Sequence, residues 1–389
     1  MSARVALVVL DGVGCGEAHD AAAYGDVGSN TLAHVLEQVP TLTLPTMQSL
    51  GLGHVATLRG VSPVETPAGA VTVLQPRGAG KDSTTGHWEL AGLVLDTAFP
   101  TFPDGFPDDL LQRFAHATGR GVIGNCVASG TTILGALGAQ HVATGSWIVY
   151  TSADSVFQVA AHEQVVPLDE LYRACGIARE LLAGALTVSR VIARPFTGTD
   201  GDWQRTTNRR DYSVAPVGET LLDALERAGV SRAGVGKVDD LFASRGIVSQ
   251  HTPDNAAGMT LIREWLEGPT DGFLFANLVD FDQQFGHRND VVGFAGALAQ
   301  FDAALPSLLG AMHDDDLLFI TADHGNDPTT ATTDHARERV PLLLAGRSIR
   351  SVVLPERDTF ADVGATVAAA FGLDWRGNGT SFLPEVRAA

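Results

Sequence analysis

Short aliphatic runs recur along the chain, with stretches of helical spacing between them. Residues 4–10 (RVALVVL), 147–151 (WIVYT), 188–196 (VSRVIARPF), 273–279 (FLFANLV), 316–321 (DLLFIT) and 340–345 (VPLLLA) show no period-two alternation. Such runs predict strands covered on both faces, as in a parallel sheet. Between them, 167–182 (PLDELYRACGIARELL) spaces its apolar residues as a helix does. Residues 218–229 (GETLLDALERAG) end on a glycine suited to stopping a helix. The alternation predicts an α/β fold built on a mainly parallel sheet flanked by helices.

Two segments break this rhythm. Residues 96–111 (DTAFPTFPDGFPDDLL) are dense in proline and phenylalanine, and 196–216 (FTGTDGDWQRTTNRRDYSVAP) are polar and glycine-punctuated. About a hundred residues with their own strand–helix alternation lie between them. The expected organisation is a core of 1–98 and 217–389 interrupted by an inserted smaller α/β domain, 99–216.

At 389 residues, with 45% apolar and 18% charged residues, the chain has the balance of a folded globular protein. Its net charge of −19 argues against nucleic acid or an anionic membrane as partner. A phosphorylated substrate would therefore need local positive charge from metal ions or clustered arginines. Only two lysines, Lys81 and Lys237, stand among 26 basic residues. Three cysteines without a Cys-x-x-Cys pair suit a reducing, cytoplasmic setting. The N-terminal apolar run is too short for a signal peptide or a span and reads as a buried strand. The pattern is compatible with a monomer.

The chemistry collects where the apolar runs end. The first runs into Asp11-Gly12, the fourth into DFDQQFGH with Asp280, Asp282 and His287, and the fifth into ADHGND with Asp323, His324 and Asp327. Eleven residues beyond His324 stands TTDHARE, with Asp334 and His335. Singly, each reads as well as a turn, a helix cap or a solvated pair. Jointly, mixed Asp and His at the carboxyl ends of strands are the ligands expected for borderline divalent ions, and they exceed the needs of one. Two adjacent ions form a clamp suited to in-line phosphoryl transfer. The segment GKDSTTGHWEL (80–90) offers three consecutive hydroxyls, any of which a metal could activate as a nucleophile, with Lys81 beside them to neutralise phosphoryl oxygens. Arg190, Arg194, Arg205, Arg209 and Arg210 fall within 21 residues of the inserted domain and suit phosphate binding. Counter-charges at Asp200, Asp202 and Asp211 allow the plainer reading of an exposed loop, above all for Arg209 and Arg210.

Taken together, VVLDGVGCGEA, GKDSTTGHWE, FPDGFP, IVYTSADSVFQVAAHE, VIARPF, NLVDFDQQFGHRND, TADHGNDP and TDHARE resemble the prokaryotic-type phosphopentomutases of the alkaline phosphatase superfamily over essentially the whole chain. The resemblance implies an alkaline phosphatase-like core whose inserted domain covers the substrate. It also implies one metal, normally Mn²⁺, on Asp282, His287 and His335, and a second on Asp11, Asp323, His324 and the nucleophile. The nucleophile position corresponds to Ser83, where the family usually carries threonine, with Thr84 and Thr85 as substitutes. Ser152, Asp154, Arg190, Arg194, Arg205 and Lys237 match substrate-binding positions. The implied reaction moves phosphate between C1 and C5 of ribose or 2-deoxyribose through a phosphoserine primed by a sugar bisphosphate, within pentose and nucleoside phosphate metabolism. A metal-dependent phosphomonoesterase and a cofactor-independent phosphoglycerate mutase-like enzyme are the alternatives. The latter fits GKDSTTGHWE poorly, since its serine normally follows a strand-end Asp-Gly or Asn-Ser pattern.

Overall fold

The computed structural model describes residues 4–152 and 154–387. They form two compact units, 1–98 with 216–389 and 99–215, as bounded along the whole chain. In chain order the strands are β1 Arg4–Leu10, β2 Ala70–Leu74, β3 Val122–Val127, β4 Trp147–Thr151, β5 Val156–His162, β6 Arg190–Thr199 and β7 Asp202–Arg205. They continue with β8 Arg210–Ser213, β9 Arg232–Val235, β10 Ser249–Gln250, β11 Gly272–Leu278, β12 Leu317–Thr321, β13 Val340–Ala345 and β14 Val352–Val353.

The first unit holds an eight-stranded sheet in the order β10-β9-β11-β1-β12-β13-β2-β14. Strand β1 lies at its centre, parallel to β11 on one side and β12 on the other, and every one of its residues is buried. That explains its unbroken aliphatic run: both faces are covered and both edges paired. Strand β13 runs antiparallel to β12 and to β2, with Val340 opposite Leu74. The chain entering β13 and the chain leaving β2 therefore reach the same edge of the sheet as the ends of β1, β11 and β12. The helix Val291–Ala311 is long and apolar enough to cross a membrane by length and composition. Its inward face is buried, however, and carries Asp302, which accepts hydrogen bonds from Thr46 N and Met47 N.

The second unit holds a mixed sheet, β3-β4-β5-β6-β7, with β8 also paired to β6. Strand β4 divides its side chains between two cores. Trp147 and Val149 pack with Phe114 and Phe157, whereas Ile148 and Tyr150 pack with Ile133 and Phe196.

Candidate metal centre and nucleophile

Strand β1 delivers Asp11 at its carboxyl end, and Gly12 turns the chain away with φ +77, a conformation that disfavours residues bearing a Cβ. Its N–H donates to Asp323 Oδ1 at 3.2 Å, tying the end of β1 to the end of β12. Strand β11 delivers Asp282 on a π-helical turn, Phe281–Phe285, and His287 follows two residues after that turn. Asp323 and His324 follow β12. His335 reaches the same place from the other direction, because the antiparallel β13 begins where β12 ends.

The hydroxyl run forms the start of a helix, Ser83–Leu90, capped by Asp82, whose Oδ1 accepts from Thr84 N and Thr85 N. The helix packs directly on the Asp323 backbone. A Cβ on Gly86 would stand 2.2 Å from Asp323 O, so only glycine permits this approach. Of the three hydroxyls, Ser83 Oγ lies 3.1 Å from His324 Nε2. Thr85 Oγ1 is committed to Asp82 O at 2.9 Å, and Thr84 is buried.

Six side chains converge. Asp282 stands 3.2 Å from His335 Nε2 through one oxygen and 3.2 Å from His287 Nε2 through the other. His324 Nε2 lies 3.3 Å from Asp11 Oδ1 and 3.4 Å from Asp323 Oδ2. The donor atoms form two groups, Asp282–His287–His335 and Asp11–Asp282–His324, so Asp282 borders both. For metal–ligand bonds of about 2.1 Å, adjacent donors in a tetrahedral or octahedral shell lie roughly 3.0 to 3.4 Å apart. Asp11 Oδ1 and His335 Nε2 are buried with no hydrogen-bond partner among the described residues. Their spacing and their unmet bonding capacity both fit divalent cations.

Other atoms of these candidate ligands are oriented from behind. Asn277 Nδ2 donates to Asp11 Oδ2 at 2.9 Å and Asn326 Nδ2 to Asp282 Oδ1 at 2.6 Å. His287 Nδ1 lies 2.6 Å from Thr333 O, which directs Nε2 inward. The electrostatics also call for positive charge. Burial, then repulsion from Asp323 and Asp282, pushes the Asp11 carboxyl up. Burial opposes ionisation of Asp282 as well, but His335 and His287 outweigh it and hold that carboxyl well below its usual range. His324 is held well above the usual imidazole range, since Asp323 and Asp11 overcome its burial.

Several supporting residues escaped the sequence reading. Arg337 is buried and spends its guanidinium on Gly78 O at 2.7 Å, Pro76 O at 3.0 Å, Gly80 O, and both oxygens of Asp20. It thereby fixes the loop that leads into Ser83. Glu338, Asn277, Asn326 and His87 belong to the same surroundings. Lys81 Nζ is held 3.1 Å from Asp26 and 3.3 Å from Asp334. Lys237, at the end of β9, donates to Gln283 Oε1.

In the second unit, Arg190 and Arg194 share a face of β6, and Arg205 pairs opposite Phe196 on that face. Arg190 lies 3.7 Å from Asp211, and Arg194 Nε donates to Gln158 Oε1 at 3.0 Å. Burial, reinforced by Arg209, pushes the Arg194 guanidinium down to about 10. Arg209 pairs with both oxygens of Asp211, and Arg210 lies over the rings of Tyr172 and Tyr212. Ser152 and Asp154 stand in the turn between β4 and β5, at the sheet edge where β6 begins with Arg190.

The metalloenzyme superfamily model matches residues 3–375. Fold and donor set thus define a metal-dependent enzyme of the alkaline phosphatase superfamily. A crystal structure of Leishmania mexicana phosphoglycerate mutase shares the fold at TM-score 0.51 and 13% identity, covering 98% of this chain and 97% of that one. Phosphopentomutases are far nearer in sequence. That of Acetivibrio thermocellus is 50% identical over 385 residues, covering 98% of this chain and 99% of its own. That of Caldanaerobacter subterraneus subsp. tengcongensis is 52% identical over 388 residues, covering 99% and 98%. The chain belongs to the phosphopentomutase family, and is an isomerase that works by phosphoryl transfer.

Proposed function

We propose that the enzyme interconverts the 1-phosphates and 5-phosphates of ribose or 2-deoxyribose through a phosphoserine at Ser83 and a sugar bisphosphate. The observation that carries this reading is the position of Ser83 Oγ, 3.1 Å from His324 Nε2 at the edge of the donor cluster, while Thr85 is engaged elsewhere. Asp282, His287 and His335 would hold one divalent ion, and Asp11, Asp323, His324 and Ser83 the other, with Mn²⁺ as the expected metal. Bound there, such ions lower the pKa of an oxygen nucleophile and neutralise charge on a phosphoryl group.

The chain's own residues then account for the reaction as follows. A sugar bisphosphate primer phosphorylates Ser83: the Ser83 Oγ–P bond forms as the primer's sugar P–O bond breaks, the serine proton passes to the departing sugar oxygen, and the sugar monophosphate is released. The free hydroxyl of a pentose monophosphate attacks that phosphorus. Its P–O bond forms as the bond to Ser83 Oγ breaks, and the hydroxyl proton passes to the serine oxygen. The bisphosphate so formed returns its other phosphate to Ser83, leaving the isomeric monophosphate. The Asp82 cap and the Arg337 contacts hold the nucleophile's helix and loop still through both transfers. The unit 99–215 is assigned the role of substrate domain, with Arg190, Arg194 and Arg205 as phosphate-binding candidates and Ser152 and Asp154 as sugar-binding candidates. Lys237 is assigned a further substrate contact. Three free cysteines suit a cytoplasmic setting.

Incubation with ribose 5-phosphate, Mn²⁺ and a sugar bisphosphate, followed by phosphorus NMR, should yield ribose 1-phosphate. Release of inorganic phosphate alone would favour a hydrolase. Ser83→Ala should abolish the phosphopeptide spanning 78–90 in mass spectrometry while metal content stays within about 20% of the parent, since three other ligands remain at each ion. Phosphorylation surviving in that variant would move the role to Thr84 or Thr85.

A further inference from the structure

His87 lies one helical turn after Ser83, and its imidazole is fully buried. Its Nδ1 stands 2.8 Å from the carbonyl oxygen of Ser83 and 3.1 Å from Asp323 Oδ2. The opposite nitrogen, Nε2, has no hydrogen-bond partner among the described residues. The ring stacks on Phe275 of β11, with centroids 5.5 Å apart and planes at 26°. With two oxygen acceptors on one side and none on the other, the proton belongs on Nδ1.

We propose that His87 is a positioning residue: one Nδ1–H clamps the Asp323 carboxylate to the backbone of Ser83, setting the distance between metal ligand and nucleophile. The Asp323 side chain is then held at both ends. Gly12 N donates to Oδ1, and His87 faces Oδ2 from the helix that carries the nucleophile. The clamp depends on the close approach that Gly86 allows between this helix and the Asp323 backbone. A rotation of the helix would displace Ser83 Oγ and the ligand carboxylate together, so the geometry between them persists through successive transfers. Partners behind metal ligands commonly control affinity and activity in this way.

The inference rests on the roles proposed for Ser83 and Asp323. Its test separates donor chemistry from packing. In His87→Asn the amide nitrogen falls close to the place of Nδ1, in His87→Gln it falls near Nε2, and His87→Phe keeps the ring and its stacking but has no donor. Mn²⁺ titration of the metal-free proteins by calorimetry should leave the Asn variant within about threefold of the parent and weaken the Gln and Phe variants by about tenfold or more. With pentose phosphate, kcat should fall in the same order while KM changes little. A packing role alone reverses the order, Phe retaining metal affinity and Asn losing it, and that result overturns the proposal.

Imidazole nitrogen NMR of the metal-free parent enzyme, labelled at histidine, supplies a readout that no unstable variant can obscure. It should show His87 protonated on Nδ1 and bare on Nε2, and the opposite tautomer refutes the clamp. Calorimetry and the tautomer do not depend on which hydroxyl is phosphorylated. If Ser83→Ala retained phosphorylation while the His87 series behaved as expected, only the nucleophile assignment would fall.

Discussion

Glu338 offers the sharpest test of how charge is arranged behind the site. Its carboxylate is buried and accepts from Thr31 Oγ1 at 2.8 Å, from Thr31 N at 3.0 Å and from Gly16 N at 3.2 Å. Burial nevertheless dominates these donors and pushes the carboxyl from 4.5 up to about 7. Between those two pH values the folded chain keeps a proton that the unfolded chain has released. Stability therefore falls as pH rises through this window and levels off above it. A displacement from 4.5 to about 7 corresponds to about 3 kcal/mol at roughly 1.4 kcal/mol per pH unit. Glu338→Gln cannot ionise and should lose this dependence. Its amide group must face a backbone donor, so the variant should be weaker than the parent at pH 5 by about 1 kcal/mol or more. The parent-minus-variant difference should then move by about 3 kcal/mol in the variant's favour by pH 8. Urea unfolding of both proteins across that range, with chelator present throughout to remove metal–proton competition, measures the difference. A difference that stays flat from pH 5 to 8 would show that hydrogen bonding to Thr31 and Gly16 overcomes desolvation, and the reasoning would fail.

Two further expectations concern the metal centre and its support. His324 is held well above its usual range by Asp323 and Asp11, so it binds a proton that a cation must displace. Mn²⁺ affinity should strengthen from pH 6 to pH 8, with proton release visible as a buffer-dependent binding enthalpy, and the absence of such release would contradict the ligand assignment. Arg337→Lys keeps the charge but cannot reach Asp20, Pro76 and Gly78 together. It should cost about 2 to 4 kcal/mol in urea unfolding and slow phosphoserine formation more than the Michaelis constant changes, whereas parental values for both would show that Arg337 does not fix the loop before Ser83.

The strand ends were the legible part of the chemistry. Asp11, Asp282 and Asp323 each follow an aliphatic run buried on both faces, and a run of that kind advertises its own end. The helix that begins at Ser83 was less visible. Asp82 and three hydroxyl residues look like a turn, and the helix they start is buried on nearly every side, so no apolar stripe marks it. Strands β2, β3 and β5 were absent from the sequence reading because alanine, threonine, glycine, asparagine and glutamine dilute their apolar character. Arg337 and Glu338 read as a charged, solvated stretch, yet both are buried.

The amino-acid sequence by itself determined the class of fold and supplied the inventory of candidate ligands, since both follow from local periodicity and residue chemistry. Tertiary structure decided the rest. Antiparallel β13 brings His335 back to Asp282, the Gly86 approach sets Ser83 against His324, and Arg337, Glu338 and His87 find their partners across long spans of chain. These depend on strand direction and on which surfaces lose their water, and neither is encoded within any single segment.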